Sequence, residues 1–275
     1  MKKLLGLVGI VLVGLLVACN GEETTDDGVT IVTVGVVGAF QQQWDVVNEN
    51  LAPYDIQVEL VNFTDFTTPN TVLDAGETDL NAFQNIGFLN NSIENNGYEI
   101  TPIGVTFIAP LNVFANFDRI SSISDLSEGD EVGIPSDLTN GGRALKVLEA
   151  AGLIVMDPAV GFLGTEADII DNPSGIVIRP AESATLSSML PDLAAAVINS
   201  QNARTGGLDL VADSIFTEDS LNIEIADHLV NVIVARTDEA DSEIFARIVE
   251  AYQTAAVARI MEEEFGGIAA FEYTE

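Results

Sequence analysis

The feature that constrains this chain most is the regular alternation of short apolar runs with segments of helical spacing. Val29 to Val34 alternates apolar and polar residues, the period-two signature of a strand. Gly35 to Gly38 reads as a turn, and Phe40 to Leu51 has helical spacing that stops before Pro53. Strands are predicted at Ile56 to Val61, Ile100 to Phe107, Leu111 to Phe114, Val132 to Ile134, Ile176 to Ile178, Ala195 to Ile198 and Asn231 to Ala235. Helices are predicted at Asn70 to Ala75, Ile86 to Asn95, Asn140 to Ala151, Ser242 to Tyr252 and Ala255 to Phe265. Gly76, Gly97 and Gly152 stop the first three. Strands that alternate with helices in this way argue for α/β layers with largely parallel sheets. The strand set splits near Phe114 and again near Asp227, which predicts two lobes joined by two crossings. Lobe one takes residues 29–114 and 228–275, and lobe two takes 115–227. Ligands of such folds bind in the crevice between lobes, near strand C-termini and helix N-termini.

The N-terminus carries a separate message. Met1, Lys2 and Lys3 form a basic start, Leu4 to Val17 is apolar with interspersed glycines, and Leu16, Val17, Ala18 and Cys19 follow. This is the plan of a signal peptide over 1–18, and its last four residues resemble the lipobox of bacterial lipoproteins. That resemblance implies cleavage before Cys19 and a lipid on its sulfur. A transmembrane reading fails on length, since a bilayer core needs roughly 20 apolar residues. Cys19 is the only cysteine, so no disulfide forms within the chain. Residues 19–28, with two threonines and four acidic residues, read as a flexible tether.

Ten basic against 43 acidic residues give a formal net charge of −33. Losing Lys2 and Lys3 with the signal peptide takes the mature chain to about −35, with Lys146 as its only lysine. Nucleic acid is excluded as a partner, because phosphate binding needs a basic surface. Attraction to an anionic membrane surface is excluded too, so the lipid on Cys19 has to anchor the chain. Such acidity suits either a solvated surface in high salt, where screening relieves self-repulsion, or an alkaline habitat.

Thr139, Asn140, Gly141, Gly142 and Arg143 stand at a helix start. Thr139 or Asn140 can cap it, the glycines let backbone amides approach a ligand, and free amides with the helix dipole favour an anion. Arg143 adds a planar fork suited to a carboxylate. Read alone, the same residues also fit an ordinary turn with a surface cation. Asn199 closes the run Ala195 to Ile198, where its carbonyl can meet an ammonium or cap a turn. Phe66, Phe83 and Phe88 can form either an apolar wall suited to a thioether or ordinary core.

From about Ile31 to Phe265 the chain resembles the methionine-binding lipoproteins of bacterial ABC importers, the NlpA/MetQ family. The resemblance is carried by Phe63 to Asn70, Ala82 to Gln84, Phe107 to Leu111, Thr139 to Leu145, Ala150 to Ile154, Ala195 to Asn199 and Ala251 to Gln253, in this order and spacing. It implies a type II periplasmic-binding-protein fold, a hinged two-lobed clamp. It also implies a small amino acid as ligand and a membrane permease with its cytoplasmic ATPase as partners, at the outer face of the cell membrane. Ligand contacts are implied at Phe66, Phe83, Asn85, Phe88, Arg143, Asn199 and Asn231, the two last asparagines holding the amino end. The chain departs from the family pattern at Phe66 (usually Tyr), Asn85 (usually His), Gly38 to Gln41 (often a Gly-Pro-His-like turn) and Leu229 (often Tyr). The departures leave the amino-acid clamp and alter the side-chain pocket, so a dipeptide or another small solute is the rival ligand. A surface lipoprotein without transport is a further rival.

An enzyme on the same fold is the competing class. His228 is the only histidine, which rules out histidine clusters for a metal. There is no Gly-x-Ser-x-Gly, phosphate-loop or calcium-loop pattern, and the acidic run Glu262 to Glu264 reads as a solvated helix face. The sequence therefore predicts binding without catalysis, cofactor or metal.

Overall fold

A computed structural model describes residues 23–24, 28–161, 163–219 and 226–273. The leader, Cys19 and most of the expected tether lie outside the described residues. Within that tether, the backbone of Glu23–Thr24 pairs antiparallel with Thr30 and Ile31. No helix among the described residues is long and apolar enough to cross a membrane.

Two separate sheets organise the chain. The first runs in the order Ile56–Phe63, Thr30–Val37, Leu80–Asn85, Asn231–Arg236 and Ile100–Val105. The second runs Val177–Ala181, Glu131–Pro135, Ala195–Asn199, Leu111–Ala115 and Ser214–Thr217. Both are mixed, with two parallel pairings each against three antiparallel ones in the first, counting Glu23–Thr24, and two in the second, so neither is largely parallel. In the first, Asn231–Arg236 runs antiparallel to both neighbours. In the second, Leu111–Ala115 does the same. The reason is connectivity. These are the strands that enter a sheet from the other one, without the crossover helix that forces parallel pairing. The chain thus passes from the first sheet to the second between Val105 and Leu111 and returns between Thr217 and Asn231. The division expected at 114/115 falls inside a strand of the second sheet.

Apolar layers cover both faces of each sheet. Val32, Val34 and Val36 pack with Trp44, Ile248 and Phe265 on one face of the first sheet; Leu73, Leu89, Val232 and Val234 fill the other. The second sheet packs Leu145 and Leu148 on one side and Leu186 and Leu190 on the other. Double coverage explains why Leu111–Ala115 is buried along its whole length and is apolar on both faces but for Asn112.

Among the elements that differ from the sequence expectation, three bear on the site. The first strand continues through Gly35 to Val37, and the chain turns only at Gly38, with φ +89°. Gly35 fits inside the strand because a Cβ there would meet the Phe63 ring at 3.1 Å. The stretch predicted as one strand to Phe107 is two, and Phe107–Ile108 pairs with Ile268–Ala269 near the C-terminus. The central strand Leu80–Asn85 has no counterpart in the sequence reading. Its buried amides hide the apolar pattern: Asn70 donates to Gln84 at 2.7 Å, and Asn81 donates to Asn70 at 2.8 Å. These bonds make the burial of three amides tolerable.

Six ion pairs are formed among the described residues, and five are at least partly solvent-exposed. With 43 acidic residues against ten basic ones, most carboxylates have no cation near them. Sodium chloride is therefore expected to raise the melting temperature by screening this repulsion. Thermal melts at low and high salt check it, and a flat or falling melting temperature contradicts it.

Candidate functional site

Residues from the ends of the two sheets line a partly open cavity of about 90 Å³. Phe66, Phe83, Asn85, Phe88, Arg143, Asn199 and Asn231 all line it, so the structure brings together all seven residues singled out from the sequence. Phe66, Phe83 and Phe88 form one cluster. Phe66 stacks on Phe83 at 6.1 Å between ring centres, and Phe88 meets both edge-on at 6.2 and 6.1 Å. Such spacing is favourable in its own right, and the cluster gives the cavity an apolar wall.

The polar residues are set by strand ends and helix starts. Asn85 ends the central strand and caps the helix Ile86–Asn96, its Oδ1 accepting from the Phe88 amide at 2.8 Å. Asn231 lies opposite Asn85 in register and donates Nδ2 to the Phe107 carbonyl at 3.0 Å. Asn199 ends its strand, and its Nδ2 donates to Asn140 Oδ1 at 3.0 Å.

The helix start differs from the expectation in an instructive way. The helix spans Leu138–Ala150, and its cap is Asp137, not Thr139 or Asn140. Asp137 Oδ1 accepts from the Asn140 amide at 2.8 Å, and its carbonyl accepts from the Gly141 amide at 2.8 Å. The positive end of the helix is thus already occupied by the chain's own carboxylate. Gly141 serves packing, since a Cβ there would sit 2.7 Å from the Pro135 carbonyl oxygen. Burial holds the Asp137 carboxyl above its ordinary value, against the lowering effect of the Asn140 hydrogen bonds. A raised carboxylate favours the fold at low pH, and that contribution is lost as pH rises through the folded value. Asp137→Asn keeps an acceptor and removes the ionisation. It is expected to melt higher than wild type at pH 7 and to lose the advantage near pH 4. A variant that melts below wild type at pH 7 contradicts this.

Arg143 is buried to 4% side-chain exposure, against 6% for Glu218, its ion-pair partner. Its Nε donates to Glu218 at 2.9 and 3.1 Å, and its Nη2 bonds Glu218 and the Ala109 carbonyl, the latter at 2.7 Å. Glu218 also accepts from the Leu111 amide at 3.0 Å. The guanidinium reaches the cavity held on one side by a carboxylate, neither free nor on the surface. Sequence reasoning missed Glu218, which follows a short strand with no motif around it. It also missed Gln41, Gln43, Gln84 and Gln201, which line the cavity as well.

The seam beside the cavity joins residues on the two sheets. Gln201 donates Nε2 to the Val37 carbonyl at 2.7 Å, and Ser200 donates to the Pro110 carbonyl at 3.0 Å. Arg204 pairs with Glu264 and lies 4.9 Å over the Phe40 ring. Gly38 makes room for this contact: a Cβ there would lie 2.4 Å from Gln201 Nε2.

Two α/β lobes with a cavity of amides, aromatic rings and one paired guanidinium between them define a solute-binding protein of the type II periplasmic-binding class. The NlpA lipoprotein family matches residues 32–271, and the chain belongs to it. It is 39% identical to Outer membrane lipoprotein 3 of Mannheimia haemolytica over 267 residues, covering 96% of each chain. It is 35% identical to the D-methionine-binding lipoprotein MetQ of Salmonella typhimurium over 269 residues, again 96% of each. Among solved structures, it superposes on a nutrient binding protein from Burkholderia cenocepacia bound to methionine with a TM-score of 0.80 at 30% identity, covering 87% of this chain and 100% of that one.

Proposed function

We propose that this protein is the solute-receiving lipoprotein of an ATP-driven importer and that its cavity takes one free amino acid with an apolar side chain, methionine foremost. The observation that carries this is the union, in one cavity, of the Phe66, Phe83 and Phe88 cluster with Arg143 and the amides Asn199 and Asn231. The rings suit a thioether, the guanidinium suits an α-carboxylate, and the amide carbonyls suit an ammonium. A relative named for D-methionine and a structure bound to methionine support the same reading.

The mechanism is binding and release without a covalent step. The polar groups facing the cavity are mainly amides and a paired guanidinium, and of the hydroxyls there, that of Ser200 is spent on the Pro110 carbonyl. The lobes open and close about the two connections between the sheets, and the closed form docks on a permease served by its ATPase. Cys19 carries the lipid that holds the chain at the outer face of the cell membrane. Mass spectrometry of solute released from the purified, denatured protein tests the ligand. Methionine or a similar apolar amino acid is expected, and a dipeptide or a charged solute overturns the assignment. Cys19→Ser is expected to leave an uncleaved, unlipidated precursor, and a lipid mass still attached to the variant contradicts the anchor.

A further inference from the structure

Two side chains in the cavity carry buried oxygens without a hydrogen-bond partner among the described residues: Gln43 Oε1 and Asn199 Oδ1. Gln43 is only 5% exposed. Amide oxygens and nitrogens can be interchanged by a flip, so which atom is left over has to be argued from the network. Here both orientations are fixed by an obligate acceptor at the far end of a relay. Gln41 donates Nε2 to the Val37 carbonyl at 3.0 Å, and a carbonyl only accepts. Gln41 must therefore turn its Oε1 to Gln43, which donates Nε2 to it at 2.8 Å. Gln43 is left with Oε1. On the other side Asn140 donates Nδ2 to both Asp137 oxygens at 3.1 Å, which turns its Oδ1 to the Asn199 Nδ2. Asn199 is left with Oδ1. Two relays, one on each sheet, thus each end in an unpaired acceptor at the same cavity. An unpaired buried acceptor costs stability, and such groups in folded proteins call for a reason.

We propose that Gln43 is a further ligand-contacting residue, whose Oε1 accepts from the ligand's ammonium together with Asn199 Oδ1, and that Gln41 is the positioning residue that presents it. An ammonium has three donors and no acceptor, so it satisfies both oxygens at once, whereas a ligand without a cationic donor leaves them unpaired. The relay from Gln43 ends on the Val37 carbonyl, which also accepts from Gln201 of the second lobe. The ammonium contact is thereby tied to the seam that holds the lobes together. This inference rests on the amino-acid reading of the cavity.

The test is calorimetry with methionine and with its des-amino analogue, 4-(methylthio)butanoate, on the full chain. Gln43→Leu is expected to weaken methionine by about 10–100-fold, the effect of losing a hydrogen bond to a charged group. Binding of the analogue should move by less than threefold, so the preference for the amine collapses. Gln41→Leu should reproduce part of the Gln43→Leu loss, again for methionine alone. Equal weakening of both ligands by Gln43→Leu, or methionine affinity left within twofold of wild type, overturns the role of Gln43. Wild-type protein that binds methionine no better than the analogue overturns the ammonium site as a whole. Wild-type protein that binds neither overturns the amino-acid reading, and this inference with it.

Discussion

Arg143→Ala is expected to lower the stability of the ligand-free protein by about 3–5 kcal/mol, as well as to abolish tight ligand binding. The stability effect follows from what the arginine holds. Its Nε and Nη2 bond the Glu218 carboxylate, and Nη2 also bonds the Ala109 carbonyl in the crossing between lobes. Truncation takes the bidentate partner from a carboxylate with 6% side-chain exposure and releases that crossing. The compensated variant separates the two roles. Arg143→Met with Glu218→Gln removes both charges and keeps the volume, which for a buried ion pair is often neutral or stabilising. It should therefore recover most of the lost stability while binding stays lost. Urea unfolding and calorimetry on the three proteins decide the matter. A single variant within about 1 kcal/mol of wild type would show that the pair is not buried as described. A double variant that regains binding would remove Arg143 from the ligand site.

Much of this molecule was legible in the sequence because its fold speaks through apolar runs. Strands covered on both faces announce themselves by hydrophobicity, continuous to Ile198 in Ala195–Asn199 and broken only by Asn112 in Leu111–Ala115. Helices announced themselves by spacing and by their stops, as at Gly97, whose φ of +74° places it in the left-handed region. What stayed hidden was polar and buried. The central strand Leu80–Asn85 carries Asn81, Gln84 and Asn85, whose hydrogen bonds come from Asn70 and from the helix that follows, so no local pattern reveals them. The mixed direction of the sheets was hidden as well, because it depends on which strands enter from the other lobe. At the site, the seven residues chosen from family resemblance converge on one cavity, but their partners were out of reach. Glu218 lies 75 positions from Arg143 in sequence, and no spacing rule links them. The same holds for the cap: Asp137 displaced Thr139 and Asn140 because its extended backbone lets its carboxylate take the Asn140 amide while its carbonyl takes that of Gly141.

Charged amino acids are expected to bind at least a hundredfold more weakly than methionine, and this is the larger of the specificity effects. Among the described residues, the one charged side chain that lines the cavity is Arg143, and Glu218 already holds it. A second ligand charge would end among Phe66, Phe83 and Phe88, whose ring centres lie 6.1 to 6.2 Å apart. Burying a charge there without a partner costs several kcal/mol, and every 1.4 kcal/mol is tenfold in affinity. Differences among apolar side chains are smaller, about 1–3 kcal/mol per methylene, so leucine-sized amino acids should bind detectably below methionine. Phe66 and Asn85 sharpen this contrast, since the hydroxyl and imidazole usual at these positions are absent, and the Asn85 carbonyl is taken by its own helix cap. The surface field pulls in the other direction for cations. A chain of net charge −33 attracts lysine and arginine and repels aspartate and glutamate. Poor binding of lysine despite that attraction is therefore the more telling result. A thermal-shift screen over the common amino acids and short dipeptides, repeated at high salt to screen the field, reads both effects. Stabilisation by methionine and, less, by leucine and isoleucine is expected at either salt. Stabilisation by lysine that persists at high salt would mean that the aromatic wall is not where the ligand's side chain lies.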